Sequence, residues 1–529
     1  MASINRRQLL SRGLGTAAGV FAGTTIATGS VTIPEDRHLV QPATGMFGIH
    51  VVDAQTGRGI PLVELRTVNQ VRYVTDSAGY AAIADPGLMN RHVYFSVSSP
   101  GYTFPKDSFG YSGVGLEVKP DSIAGISMGR QNIAQRIYRM TGEGIYTDSV
   151  RLGIKPPIDE PLLNGQVMGQ DSCLATVYTG RIFWIWGDTA RPGYPLGNFR
   201  TSGAVSDLPG HGGLNPDIGV NLRYFTDSSG FCRAMCPLPD EPGGVVWLDG
   251  LTTVGDRQGT EQLTARYSRR QGMGKIYEQG LAVWNRKAGV FEKYHVYPPA
   301  EQWRFPIGHP AVYREKGREY RLFSPQFPTV RATASLGGLT DSSEYEAFTC
   351  LAAGTGYAGS KSSVERNKTG KVVWAWKRHT PPLNSADERK LISSGLLQPD
   401  EAHFQLVDAL GHKPITIQNG SFFWNRFLQR WIMIGVQHGG DSVLGEIWLA
   451  GATQPTGPWR QAHKIATHPD YSFYNPTQNP FFDQENGRVI YFQGTYSATF
   501  SGNSHPTPRY DYNQLMYRLD LSDSRLRLE

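Results

Sequence analysis

At 529 residues the chain is long enough for two to four domains of roughly 100–200 residues each, and 39% apolar against 19% charged residues excludes a disordered chain. The formal net charge is +6, but three of the 52 basic residues and none of the 46 acidic ones fall in the first 29 positions. The rest is close to balance and shows no basic patch, so nucleic acid is not the expected partner.

Aromatics at 11% and 61 glycines favour short strands and tight turns over long helices. Beyond the N-terminus no uninterrupted apolar run reaches the length of about 18 residues that a membrane span needs.

The start reads Asn5-Arg6-Arg7-Gln8-Leu9-Leu10-Ser11, followed by a soft Gly/Ala/Thr stretch from Gly13 to Gly29. This resembles a twin-arginine export signal, which carries folded proteins across the bacterial inner membrane. Its cleavage is expected between Ala27 and Val31, so residues 1–30 are read as signal and the mature chain as periplasmic or secreted. The four cysteines, Cys173, Cys232, Cys236 and Cys350, lack the spacing of a zinc site. They are expected as buried thiols, with a local Cys232–Cys236 disulfide as the alternative.

Residues 46–127 alternate as short strands between glycine, aspartate and proline turns, the pattern of a small β-sandwich. The phrase from Val52 to Pro61, Val-Asp-Ala-Gln-Thr-Gly-Arg-Gly-Ile-Pro, followed by Thr75-Asp76-Ser77-Ala78-Gly79, resembles carboxypeptidase-regulatory or transthyretin-like modules. No catalytic cluster lies there, so a structural or positioning role is expected. Residues 128–165 read as a connector, with Ile133–Arg139 open as helix or strand.

From 166 to 529 the pattern is all-β again. A glycine, a base and an aromatic-rich strand recur at Gly180–Trp186, Gly317–Phe323, Gly370–Trp376 and Gly487–Phe492, and Gln429–Ile434 lacks only the glycine. Hairpins recurring without intervening helices predict a β-propeller, and about 70 residues per blade gives five blades. A two-sheet sandwich is the rival architecture.

The most informative segment runs from Gln170 to Thr189: two apolar strands around Thr179-Gly180. If those two residues are the whole loop, Tyr178 pairs with Arg181, and continuing the count brings Asp171 opposite Asp188. Directly paired residues have Cα atoms about 4.5–5.5 Å apart and point to one face. Opposed like charges destabilise a purely structural sheet, but at a ligand site the repulsion raises one pKa. One carboxyl can then donate a proton while the other stays ionised, the combination that glycosidic bond cleavage needs. Plain turns capped by these aspartates, or a structural calcium site built from them, are the alternatives. No other cofactor is expected.

In a propeller, residues just before the first strand of a blade and just after the second line one funnel mouth. That collects His309, Gln326, Gln437, His438, Asn475, Gln478 and Gln493, polar groups suited to sugar hydroxyls. Tyr510 is expected as a sugar-stacking platform, with Glu261, Glu344, Glu346 and Glu446 as reserve acids.

Two further phrases carry a likeness. Glu446–Trp459, ending Gln-Pro-Thr-Gly-Pro-Trp, and Tyr474-Asn475-Pro476-Thr477-Gln478-Asn479-Pro480-Phe481-Phe482 resemble blade segments of five-bladed arabinanase-like glycosidases. Asp171 with Trp186-Gly187-Asp188-Thr189 is similar to the paired-aspartate segment of propeller endo-D-arabinanases and their relatives. The resemblance, over residues 166–520, implies an extracytoplasmic polysaccharide hydrolase with those two aspartates as acid/base or nucleophile. Asn479 stands where the family's last-blade motif carries a histidine, which puts arabinan as substrate in doubt.

The leading reading is an exported glycoside hydrolase on a poly- or oligosaccharide. A lyase using His309, His438, Tyr474 or Arg509 on a uronate polymer, and a non-catalytic glycan-binding propeller, are the rivals.

Overall fold

The computed structural model describes residues 44–241, 243–301, 303–323 and 326–528, and the expected export signal lies outside them. The fold is mostly β, and no helix among the described residues is long and apolar enough to cross a membrane.

Two four-stranded sheets come first. One runs Tyr80–Ile83, Phe47–Asp53, Ser122–Arg130, Tyr102–Thr103; the other runs Arg72–Val74, Glu64–Thr67, Arg91–Ser98, Gly113–Val118. In Phe47–Asp53 every second residue is apolar, so Phe47, Ile49 and Val51 share one face. They pack with Leu65, Phe95, Val97 and Val118 of the second sheet into one buried core.

Among the described residues five further sheets of four or more strands follow, antiparallel except where Leu406–Asp408 pairs parallel with Gln461–Ala466 in the fourth. They start at Leu174–Tyr178, Val245–Gly255, Ala311–Glu315, Ile417–Asn425 and Ser472–Gln478. Each shares an apolar core with the next. Leu174 and Phe183 pack with Val246 and Leu263, and Val254 and Leu281 with Phe323 and Ala332. Leu322 packs with Phe422 and Met433, and Ile434 and Leu449 with Phe473 and Phe492. The fifth sheet returns to the first through Tyr491 and Met516 against Trp184 and Trp186. The succession of cores therefore closes on itself. One residue or more from the leading strand of every sheet, such as Ala175, Leu251, Ala311, Phe423 and Thr477, lines a shared cavity of about 470 Å³.

The segment read as a connector contributes to this closure. Gln135–Arg139 is a strand that pairs antiparallel with Asn513–Asp520 and completes the fifth sheet. A strand that precedes the first sheet thus fastens the last. Arg136 ties it to the N-terminal sheets, donating to the carbonyls of Pro61 (3.1 Å) and Pro100 (2.9 Å).

The recurring glycine-base phrase is a turn device. Thr179 and Gly180 have φ of 50° and 76°, and Lys316 and Gly317 have 49° and 76°, as a two-residue hairpin loop with both central residues left-handed requires. In each case the following arginine opens the second strand. Gly370–Trp376 departs from the pattern. Of that stretch only Ala375 and Trp376 enter a strand, Ala375–Arg378, at the edge of the third sheet. The second sheet, Val245–Tyr297, carries only a reduced form of the phrase, Gly274-Lys275-Ile276-Tyr277, which leads into its third strand, Ile276–Asn285, and lies outside the stretches that make up the repeat.

Candidate active site

The first hairpin has the register that its two-residue loop predicts: Leu174 faces Ile185 and Tyr178 faces Arg181. Beyond it a second short ladder keeps the same count, with Gln170 facing Thr189 and Gly169 facing Ala190. Asp171 and Asp188 occupy equivalent positions in the gap between the two ladders. The Gly187 amide donates to the Asp171 carbonyl at 2.8 Å across that gap. Ser172 interrupts the strand with φ of 51°, and its amide turns to the hydroxyl of Thr495 in the fifth sheet (3.0 Å). A Cβ on Gly187 would lie 2.2 Å from Asp171 Oδ1, so only glycine leaves room for the carboxylate.

Both aspartates are partly buried, and neither has an ion-pair partner among the described residues. Burial and then the neighbouring Asp188 charge push Asp171 up from 3.8 to about 7, against hydrogen bonds from Tyr474, Tyr512 and Ser172. The Tyr474 hydroxyl donates to Asp171 Oδ2 at 3.1 Å. Burial also raises Asp188, opposed by the Trp247 indole N–H, which donates to its Oδ1 at 2.9 Å. Near neutral pH Asp171 can hold a proton beside an ionised Asp188.

The chain around the pair is held in sparsely populated conformations. Ser172, Asn475, Phe500 and Tyr512, none of them glycine, all have positive φ between 51° and 65°. Hydrogen bonds hold several of them in place. Asn475 Nδ2 donates to Ser172 Oγ at 2.5 Å, and Asn419 donates to Asn475 Oδ1.

The other expected site residues divide. Two residues beyond Asn475, the Thr477 hydroxyl lies 3.1 Å from His309 Nδ1, and both line the central cavity with Gln478. Burial depresses His309 to about 4, so its ring is neutral. Gln478 is buried and donates to both carboxylate oxygens of Asp483 at 3.2 Å, while Gln493 is fully buried. Gln326 is partly buried after the second strand of the third sheet. Gln437 accepts from the Trp448 indole at 2.8 Å and His438 is exposed; neither bonds the aspartates. Asp171 and Asp188 are not among the residues lining the cavity.

Tyr510 is a correction. It is 1% exposed, its hydroxyl donates to the Thr75 carbonyl at 2.7 Å, and Arg139 covers its ring at 5.0 Å. A ring enclosed between the N-terminal sheets and the fifth sheet offers no face to a ligand. The reserve acids are engaged elsewhere. Glu261 accepts from the Thr179 amide and so holds the hairpin turn (3.0 Å). Glu344 accepts from Thr333, Glu346 pairs with Arg331, and buried Glu446 pairs with Lys464 (2.8 Å). Arg509 pairs with Asp148 (3.3 Å), and all four cysteines are buried free thiols.

Sequence reasoning did not find Trp247, Tyr512 or the pairing role of Tyr474. Their signal is three-dimensional, since each meets the aspartates from a different stretch of the chain. Among the described residues no group of three or more His, Cys, Asp or Glu side chains could hold a metal ion.

No family model and no curated protein matches this chain. Solved structures resemble it at low identity. A GH43 β-xylosidase/α-arabinofuranosidase from a compost microbial metagenome is 10% identical, over 69% of this chain and 94% of that one, with a TM-score of 0.35. An exo-1,5-α-L-arabinanase from a bovine ruminal metagenomic library is 11% identical over 67% and 94%, with a TM-score of 0.33. The native Bacillus subtilis arabinanase is 8% identical over 67% and 95%, with a TM-score of 0.32.

Proposed function

We propose that the chain is an exported glycoside hydrolase of a poly- or oligosaccharide, built as a small β-sandwich followed by a five-bladed β-propeller. The observation that carries this reading is the shared register that sets Asp171 against Asp188, with no Lys, Arg or His ion pair to either among the described residues and with Asp171 pushed up to about 7. A protonated carboxyl beside an ionised one is the acid/base set of glycosidic cleavage.

In this reading Asp171 protonates the glycosidic oxygen as the bond to the anomeric carbon breaks. Asp188 attacks that carbon or takes a proton from the attacking water. Tyr474 and Trp247 orient the two carboxyl groups, each through one hydrogen bond. The Arg6-Arg7 segment supports twin-arginine export to the periplasm or beyond.

The test is a screen of the mature chain on plant, algal and bacterial polysaccharides, reading new reducing ends and absorbance together. Reducing ends without unsaturated-uronate absorbance are expected. Absorbance rising with the reducing ends would mark elimination and refute hydrolysis. Asp188→Asn is expected to lower turnover by more than about 10³-fold with binding kept. Unchanged turnover in that variant would remove the carboxylate pair from the chemistry.

A further inference from the structure

Besides the acidic pair, the site holds an aromatic ring that packing does not explain. Phe500 follows the central strand Val489–Ser497 of the fifth sheet and is 57% exposed. Its ring meets that of Tyr474 edge-on at 5.7 Å, and Tyr474 in turn holds Asp171. A phenyl face open to water therefore stands one side chain away from the reacting carboxyl. Among the described residues Tyr474 is its sole ring neighbour.

The backbone holds Phe500 there against its own preference. Its φ is 65°, a region that bulky residues rarely enter. Hydrogen bonds pin the loop on both sides: Ala498 N donates to Asp511 Oδ1, Ser472 Oγ to the Thr499 carbonyl and Ser501 Oγ to the Ala498 carbonyl, each at 2.6 Å. A loop that spends strain to display an apolar ring at a polar site is built for a ligand with a matching apolar face. On the opposite flank Trp247 bonds Asp188, but the Arg270 guanidinium already sits over its ring at 5.4 Å.

We propose that Phe500 is the stacking platform for a sugar ring bound beside the scissile bond, the part that Tyr510 cannot play. A sugar presents a sheet of C–H bonds on one face and hydroxyls around its rim. The C–H face rests on Phe500 while the rim reaches the polar groups of the site. The substrate is then a chain whose sugar next to the cleaved bond has an unsubstituted apolar face. This rests on the hydrolase reading.

The probes are soluble arabinan, xylan, galactan, polygalacturonate and an α-glucan. Reducing-end release by the wild type is compared with Phe500→Ala and Phe500→Tyr, and affinity electrophoresis in gels of the same polymers uses Asp188→Asn with and without Phe500→Ala. Phe500→Ala is expected to raise KM by about tenfold or more on the cleaved polymer with kcat far less affected. It also abolishes retardation in the gel, while Phe500→Tyr restores KM and melting temperatures stay equal. If the wild type cleaves a polymer and Phe500→Ala leaves KM and retardation unchanged, the platform is overturned and the hydrolase stands. If no polymer is cleaved and Asp188→Asn is retarded by none, the hydrolase reading and the platform fall together.

Discussion

The unfavourable position of Asp171 has a measurable cost. In the unfolded chain an aspartate ionises near 3.8, but in the folded site it is pushed up to about 7. A folded-state pKa above the unfolded one means that the folded protein holds its proton more tightly. The native state is then not penalised below pH 3.8, loses stability progressively as pH rises, and carries the full deficit above about 7. At about 1.4 kcal/mol per pH unit the deficit is at most about 4 kcal/mol, and partial access to water reduces it. Asp171→Asn keeps the shape and removes the charge. The variant should melt with the wild type near pH 3.5 and several degrees above it at pH 8, while losing turnover. Melting curves of both proteins across that range, followed by circular dichroism, are the assay. If Asp171→Asn is equally or less stable at pH 8, the carboxyl is not held against ionisation, and the acid role assigned to it fails.

Other outcomes follow from the same geometry. The rate should fall as pH rises through about 7, because Asp171 must carry its proton to act as an acid; a pH–rate profile flat through pH 6–8 contradicts this. Gly187→Ala places a Cβ 2.2 Å from Asp171 Oδ1, at a backbone conformation that alanine tolerates. Moving the carboxylate aside is expected to cost about 10²-fold in kcat with little change in melting temperature. Arg136→Met leaves the Pro61 and Pro100 carbonyls without their donor. It should lower stability by roughly 2–4 kcal/mol, read by denaturant titration, and loosen the strand that completes the fifth sheet.

What the sequence determined by itself is local. Thr179-Gly180 specifies a two-residue hairpin, and a hairpin register once set carries outward to Asp171 and Asp188 by counting alone. The alternating strands and glycine turns were legible for the same reason, since each needs only its immediate neighbours. Where that local mark was weak or lacking, reading failed. In the sheet from Val245 to Tyr297 the phrase is reduced to Gly274-Lys275-Ile276-Tyr277 and leads into the third strand instead of the second. Gln135–Arg139 looked like a connector because its partner strand begins at Asn513, near the other end of the chain.

Tertiary structure decided which groups surround the pair. Tyr474 and Trp247 reach the two aspartates from the fifth and second sheets, far away in sequence. It also separated two aromatic residues ten positions apart: Tyr510 is enclosed beneath Thr75, whereas Phe500 is held out beside Tyr474. Their side chains are chemically alike. Only the path of the backbone and the contacts of distant strands determine which of the two rings water can reach.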